Sequence, residues 1–275
     1  MTGFVPTLPQ APADVAYLET LTDEELAVLD DPGPDGPGLD GAGPIAVRPR
    51  FDDLSAAQQD VARQVAFRGL LARGIVDPPS AEAVAAAEAR GGSPTTPVDV
   101  LVRQDVQSLV TLRRGAPLVV ALARTTSAGQ DYWYAYSLDD LALIEEVTDS
   151  GLHRFSLVRD DQLLDLVVAS AIHPDTADAT GSPVAMPDDP PPGSPPPDPP
   201  PPVLQTLGQA LLRVDFVVRH HGRVAAQTVS LFTGPAGSWL VAHREAEPSV
   251  AYPMRSHELR EHVRATVREA GVRCG

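Results

Sequence analysis

Residues 187–202 read PDDPPPGSPPPDPPPP, and eleven of these sixteen positions are Pro. Proline has no backbone N–H and a fixed φ, so such a run can enter neither a helix interior nor a central strand. Its preferred state is an extended polyproline II segment. The run therefore divides the chain of 275 residues into two stretches that must each supply their own elements. It holds acids and no Arg, which favours a spacer over a proline-motif ligand. Residues 174–202 are assigned to that spacer.

Charge narrows the possible roles. The formal net charge is −16, with 37 acids against 21 basic side chains, every one of them Arg. Nucleic-acid binding requires clustered cations to displace counterions, so no nucleic-acid partner is expected. An anionic membrane surface is disfavoured for the same reason. Apolar runs such as Leu163–Ile172 fall well short of the roughly 20 residues of a membrane span. MTGFVPTLPQ has neither a basic nor an apolar signal-peptide region. The single cysteine, Cys274, cannot form an internal disulfide, which fits a reducing, cytoplasmic setting. The absence of Lys and Asn with abundant Ala, Pro, Gly and Arg points to a GC-rich, actinobacterial source.

Residues 1–53 carry eleven acids against two arginines and are expected to form a largely flexible arm. One short helix is expected inside it, Thr22–Leu29, with Thr22 and Glu25 as a capping box. Residues 54–173 form the first α+β half. A helix from Ser55 to Ala72 presents Leu54, Val61, Val65 and Leu71 as its apolar stripe, and Ser80–Arg90 is a second helix. Pro97–Arg103 and Leu109–Arg113 alternate like strands, although Val102, Val106 and Leu109 also fit one helix face. Strands are expected at 117–124, 132–137, 141–147 and 152–157, then a helix at 161–172 with Leu163, Leu166, Val167 and Ser170 inward. Residues 203–273 form the second half: strands at 211–220, 222–232, 238–243 and 249–252, then a helix capped by Ser256.

The two halves repeat each other. Setting Arg159 on Arg255 places Leu163 on Leu259, Val167 on Val263 and Ala169 on Ala265. Ala128-Gly129 before Tyr132-Trp133, and Ala236-Gly237 before Trp239, add a glycine turn feeding an aromatic strand. The expected fold is α+β: an antiparallel β-sheet with flanking helices, in two pseudo-symmetric halves joined by the polyproline spacer.

Three sets of residues invite a functional reading. Tyr132, Tyr134 and Tyr136 share one strand face, and with Trp239 they are candidate partner-binding residues. Glu145, Glu146 and His153 lie across a hairpin and could form an acid/base cluster. Arg63, Arg68 and Arg73 would contact phosphates if the 55–72 helix belonged to a winged-helix DNA-binding regulator. No metal site is expected: His220 and His221 diverge, His257 and His262 lie on different helix faces, and no paired Cys or HExxH accompanies them. GxSxG, GxGxxG and a P-loop are all missing, so no cofactor and no catalytic residues are expected.

RGLLARGIVD (Arg68–Asp77) followed by a short helix and a meander, PAGSWLVAH (Pro235–His243), and a terminal helix after a strand together resemble the EspG family. These are cytosolic chaperones of type VII (ESX) secretion in actinobacteria. The resemblance extends over about residues 20–270. It implies a central antiparallel sheet and a non-enzymatic adaptor or chaperone that holds a helical protein partner, a secretion substrate. An enzyme built on Glu145, Glu146 and His153 and a winged-helix regulator are the alternatives.

Overall fold

The computed structural model describes residues 15–30, 46–78, 101–187, 199–220, 228–243 and 248–270. Among the described residues, ten strands form one antiparallel sheet, ordered β1-β5-β4-β3-β2-β7-β8-β9-β10-β6. The strands are β1 Ala16–Thr22, β2 Leu118–Thr126, β3 Gly129–Leu138, β4 Leu141–Val147, β5 Leu152–Arg159, β6 Val184–Ala185, β7 Leu212–His220, β8 Val229–Gly234, β9 Gly237–Ala242 and β10 Val250–Met254. The helices are α1 Asp23–Leu29, α2 Ala56–Ala72, α3 Gln104–Gly115, α4 Asp160–Ala171, α5 Pro202–Leu207 and α6 Ser256–Glu269.

Local chemistry explains the boundaries. Thr22 accepts from the Glu25 N–H while the Glu25 carboxylate accepts from the Thr22 N–H, so α1 starts where its capping box predicts. Ser55 donates its N–H to the Gln58 side chain at the start of α2. Gly74, at φ +64, follows the Arg73 C-cap and turns the chain out of that helix. The cap of the sixth helix is Arg255, and Ser256 is its first helical residue rather than its cap. Glu258 accepts from the Arg255 N–H, while the Ser256 N–H goes to Asp178.

Strand alternation divides the side chains between two faces. On one, Leu118, Val120 and Leu122 of β2 join Val214, Phe216 and Val218 of β7 under α4 and α6. Leu163, Val167, Leu259 and Val263 are fully buried there. Each such side chain contributes roughly 1.5–3 kcal/mol by leaving water. On the other face of the first half, Val119, Tyr134, Tyr136, Leu143 and Phe155 pack with residues of α1, α2 and α3.

The repeat is structural. A shift of 96 positions carries Arg159 onto Arg255, and it also superposes the two meanders. Leu118, Val120 and Leu122 fall on Val214, Phe216 and Val218; Ala135 falls on Leu231 and Ile144 on Leu240, all in the same core. The β3–β4 turn at Asp139-Asp140 falls on the β8–β9 turn at Pro235-Ala236. The pseudo-twofold axis therefore passes between β2 and β7, which pair with each other. One sequence correspondence is corrected: Ala128-Gly129 leads into β3 whereas Ala236-Gly237 leads into β9, so these turns are not equivalents.

Other expectations also change. Within the acidic arm, residues 16–22 form the edge strand β1, paired with β5, and Leu21 and Leu26 are fully buried. Residues 109–113 belong to α3, because Val106, Leu109 and Val110 recur on one buried helix face. In α2 the buried residues are Ala66 and Leu70, while Val61 and Val65 are 61% and 54% exposed. Inside the expected spacer, Val184-Ala185 pairs with β10, and α5 starts at Pro202. The expected helix at 80–90, the 31–45 acidic stretch, the turn at 221–222 and most of the proline run lie outside the described residues.

Candidate functional site

The expected acid/base cluster is only partly assembled. Glu145 on β4 and His153 on β5 meet on one face, with His153 Nδ1 2.6 Å from a Glu145 oxygen. The other ring nitrogen is 2.6 Å from Asp23, the first residue of α1. Arg113 from α3 donates to Glu145 at 2.9 Å and to Asp30 at 2.6 Å. The Tyr136 hydroxyl donates to the same Glu145 oxygen at 2.5 Å. Glu146 points to the opposite face, as its neighbour in a strand must. Burial raises its pKa, partly offset by Arg124 and Arg154.

Charges alternate along this chain of contacts: Asp23, His153, Glu145, Arg113, Asp30. Burial alone would raise the Glu145 pKa, but Arg113 and His153 pull it down to about 2. Burial alone would lower the His153 pKa, but its bonds to Asp23 and Glu145 raise it. Tyr136 is pushed well up, first by burial and then by the Glu145 charge. A general base must reach the proton it abstracts. Asp23, Glu145 and His153 are fully buried and Arg113 is 3% exposed, so these four groups are closed off from solvent. A cleft of about 280 Å³ is lined by Val28, Arg63, Gln64 and Phe67, none of them members.

The aromatic candidates divide as well. Tyr134 and Tyr136 are 3% and 2% exposed and belong to the core under α3, so neither offers a binding surface. The Tyr134 hydroxyl oxygen accepts from the Val47 N–H at 3.2 Å. Tyr132 and Trp239 are half-buried. Among the winged-helix arginines, Arg73 pairs with Glu19 and Glu25, and Arg63 packs over Phe51 and pairs with Asp60. These two serve intramolecular contacts.

Tyr132 and Trp239 belong to a surface that sequence reasoning did not outline. On β7 the residues facing the helical layer are buried, but Asp215, Val217 and Arg219 on the other side are half-buried and Arg213 is exposed. Cross-strand pairing extends this strip. Ala123 lies between Tyr132 and Asp215, and Phe232 lies between Arg213 and Trp239. Ser230 donates to Asp215 at 2.5 Å and contacts His243 at 2.9 Å, while Arg213 stacks over Phe232. The matching face of the first half is covered by three helices. Here the six-residue α5 and the segment near Met186 pack beside Phe232 and Trp239, while Val217 and Tyr132 lean against the edge of the first half's core. The only sequence signal for this asymmetry was the presence of two helical segments before β2 and of the proline run before β7.

No metal-binding group of His, Cys, Asp and Glu occurs among the described residues. No described helix is long and apolar enough to cross a membrane. No protein-family model matches the chain. No curated protein sequence matches it either. Among solved structures it is similar to a chain in the complex of the Mycobacterium tuberculosis type VII secretion system chaperone EspG5 with a PE25-PPE41 dimer, at 14% identity and a TM-score of 0.40. That match covers 74% of this chain and 93% of the other.

Proposed function

We propose that this protein is a non-enzymatic adaptor or chaperone that binds a helical protein partner, with a type VII secretion substrate as the candidate. The half-open face of the second half carries this reading. Val217, Phe232, Trp239 and Tyr132 supply apolar and aromatic contact, and Arg213 with Asp215 supplies polar anchors beside them. Such mixed patches suit recognition: aromatics and Arg concentrate binding energy at interfaces. A packed sheet face is also a rigid platform, so little ordering cost is incurred on binding. The resemblance at residues 68–77 and 235–243 supports the secretion assignment, and the sealed acid/base network supports the non-enzymatic one.

The test is affinity capture from native actinobacterial cytosol with the wild type and with Val217→Arg and Trp239→Ala. The expected result is a stoichiometric helical protein with a secretion-type sequence that is lost from both variants. A partner retained unchanged by both, or no partner under several growth conditions, would overturn the proposal.

A further inference from the structure

The buried network has a role that partner binding does not use. His153 holds a carboxylate at each ring nitrogen, Glu145 on one side and Asp23 on the other. An ionised carboxylate only accepts, so satisfying both requires a proton on both nitrogens. The groups facing this ring come from separate elements: Glu145 from β4, Asp23 from α1, and, through Glu145, Arg113 from α3 and Tyr136 from β3.

Asp23 is the fastening point of the amino-terminal unit. Its second oxygen accepts from the Arg50 and Phe51 N–H groups, at 2.5 and 3.1 Å. Its own N–H donates to the Gly151 carbonyl at 3.0 Å. One residue thus ties α1 to the β4–β5 hairpin through its backbone N–H, and to β5 and the 48–54 turn through its carboxylate. The strand β1 is an edge strand, with β5 as its neighbour in the sheet.

We propose that the doubly protonated His153 is a pH-sensitive latch that keeps the β1–α1 unit docked on the sheet. When the ring loses a proton it can donate to only one carboxylate. The other loses its imidazole donor inside the core, and the contact chain gains an uncompensated negative charge. The His153 pKa is raised by folding. The latch is therefore closed below the ordinary value of 6.5 and opens as pH rises through the higher folded value.

The test uses the full chain and two readouts. Amide hydrogen exchange, corrected for intrinsic rates, is followed for residues 16–29 against α6 between pH 6 and 9. The ¹⁵N shifts of the His153 ring are followed over the same range. With one linked proton, protection of 16–29 relative to α6 is expected to fall by up to tenfold per pH unit between the ordinary value of 6.5 and the folded pKa, and to level off above it. The ring is expected to show two protonated nitrogens at pH 6. In His153→Gln the relative protection should no longer vary with pH. A neutral ring at pH 6, an unchanging ratio in the wild type, or the same pH profile in the Gln variant would overturn the proposal. The wild-type readouts decide the matter even where the variant fails to fold.

Discussion

Glu145 is the residue on which the first half turns. It accepts from Arg113, Tyr136 and His153, and all four side chains are buried. Glu145→Gln leaves two buried cations with one carboxylate fewer. We expect a loss of about 3–5 kcal/mol, read from urea midpoints at constant m-value. Gly151 is the second sensitive position. It sits at φ +75, and a Cβ there would lie 2.9 Å from an Asp23 oxygen. Gly151→Ala should cost roughly 1–3 kcal/mol and weaken the Asp23 contacts with it. Half of this network was legible in the sequence. Glu145 and His153 flank a recognisable hairpin, so a short-range reading brings them together. Asp23 and Arg113 lie 130 and 32 positions from their partners. Only tertiary packing unites them, and no local pattern announces it.

Elements were legible where their period was unambiguous. The meander strands and α4 follow from alternation and from inward Leu163 and Val167. Failures occurred where two elements compete for the same apolar residues. In α2 the sequence has more than one apolar stripe, and the β-branched one at Val61 and Val65 faces outward because Leu70 shares a core cluster with Leu26 of α1. In α3 the run from Leu109 to Arg113 alternates locally, but Val106, Leu109 and Val110 match the longer helical period. The edge strand β1 escaped notice because its side chains are mostly half-exposed and its pairing partner lies far along the chain. The α2 assignment gives a direct check. Val61→Gln and Val65→Gln should each change stability by less than about 0.5 kcal/mol, whereas Leu70→Ala should cost about 2–5 kcal/mol in the same denaturation assay.

At the scale of the molecule, the 96-residue displacement means that each half builds a four-strand meander followed by a helix, and that β2 meets β7 across the pseudo-twofold axis. The repeat was visible at Arg159 and Arg255 because helix caps and heptad-like spacing survive in sequence. Its extension through the strands was not, since Trp133 and Val229 share a place but not a character. The halves share the β2–β7 ladder and a common core in which α4 and α6 lie side by side, with Arg264 donating to Asp165 at 2.9 Å. A protease site introduced at Ser194 should therefore yield two fragments that still elute as one particle in gel filtration. Separation on cutting would show that the joint core is too weak to hold without the covalent tie.

The pairing of β2 with β7 also changes how the proline run is best understood. Two pseudo-equivalent strands that hydrogen-bond across an axis form the same kind of contact as a symmetric dimer of a half-sized chain. The tether then need not shape the fold. It sets an effective concentration, of millimolar order for a short linker, at which one half encounters the other. Its length and stiffness govern how readily the halves rejoin after opening, so lengthening it should slow refolding while leaving the folded architecture unchanged.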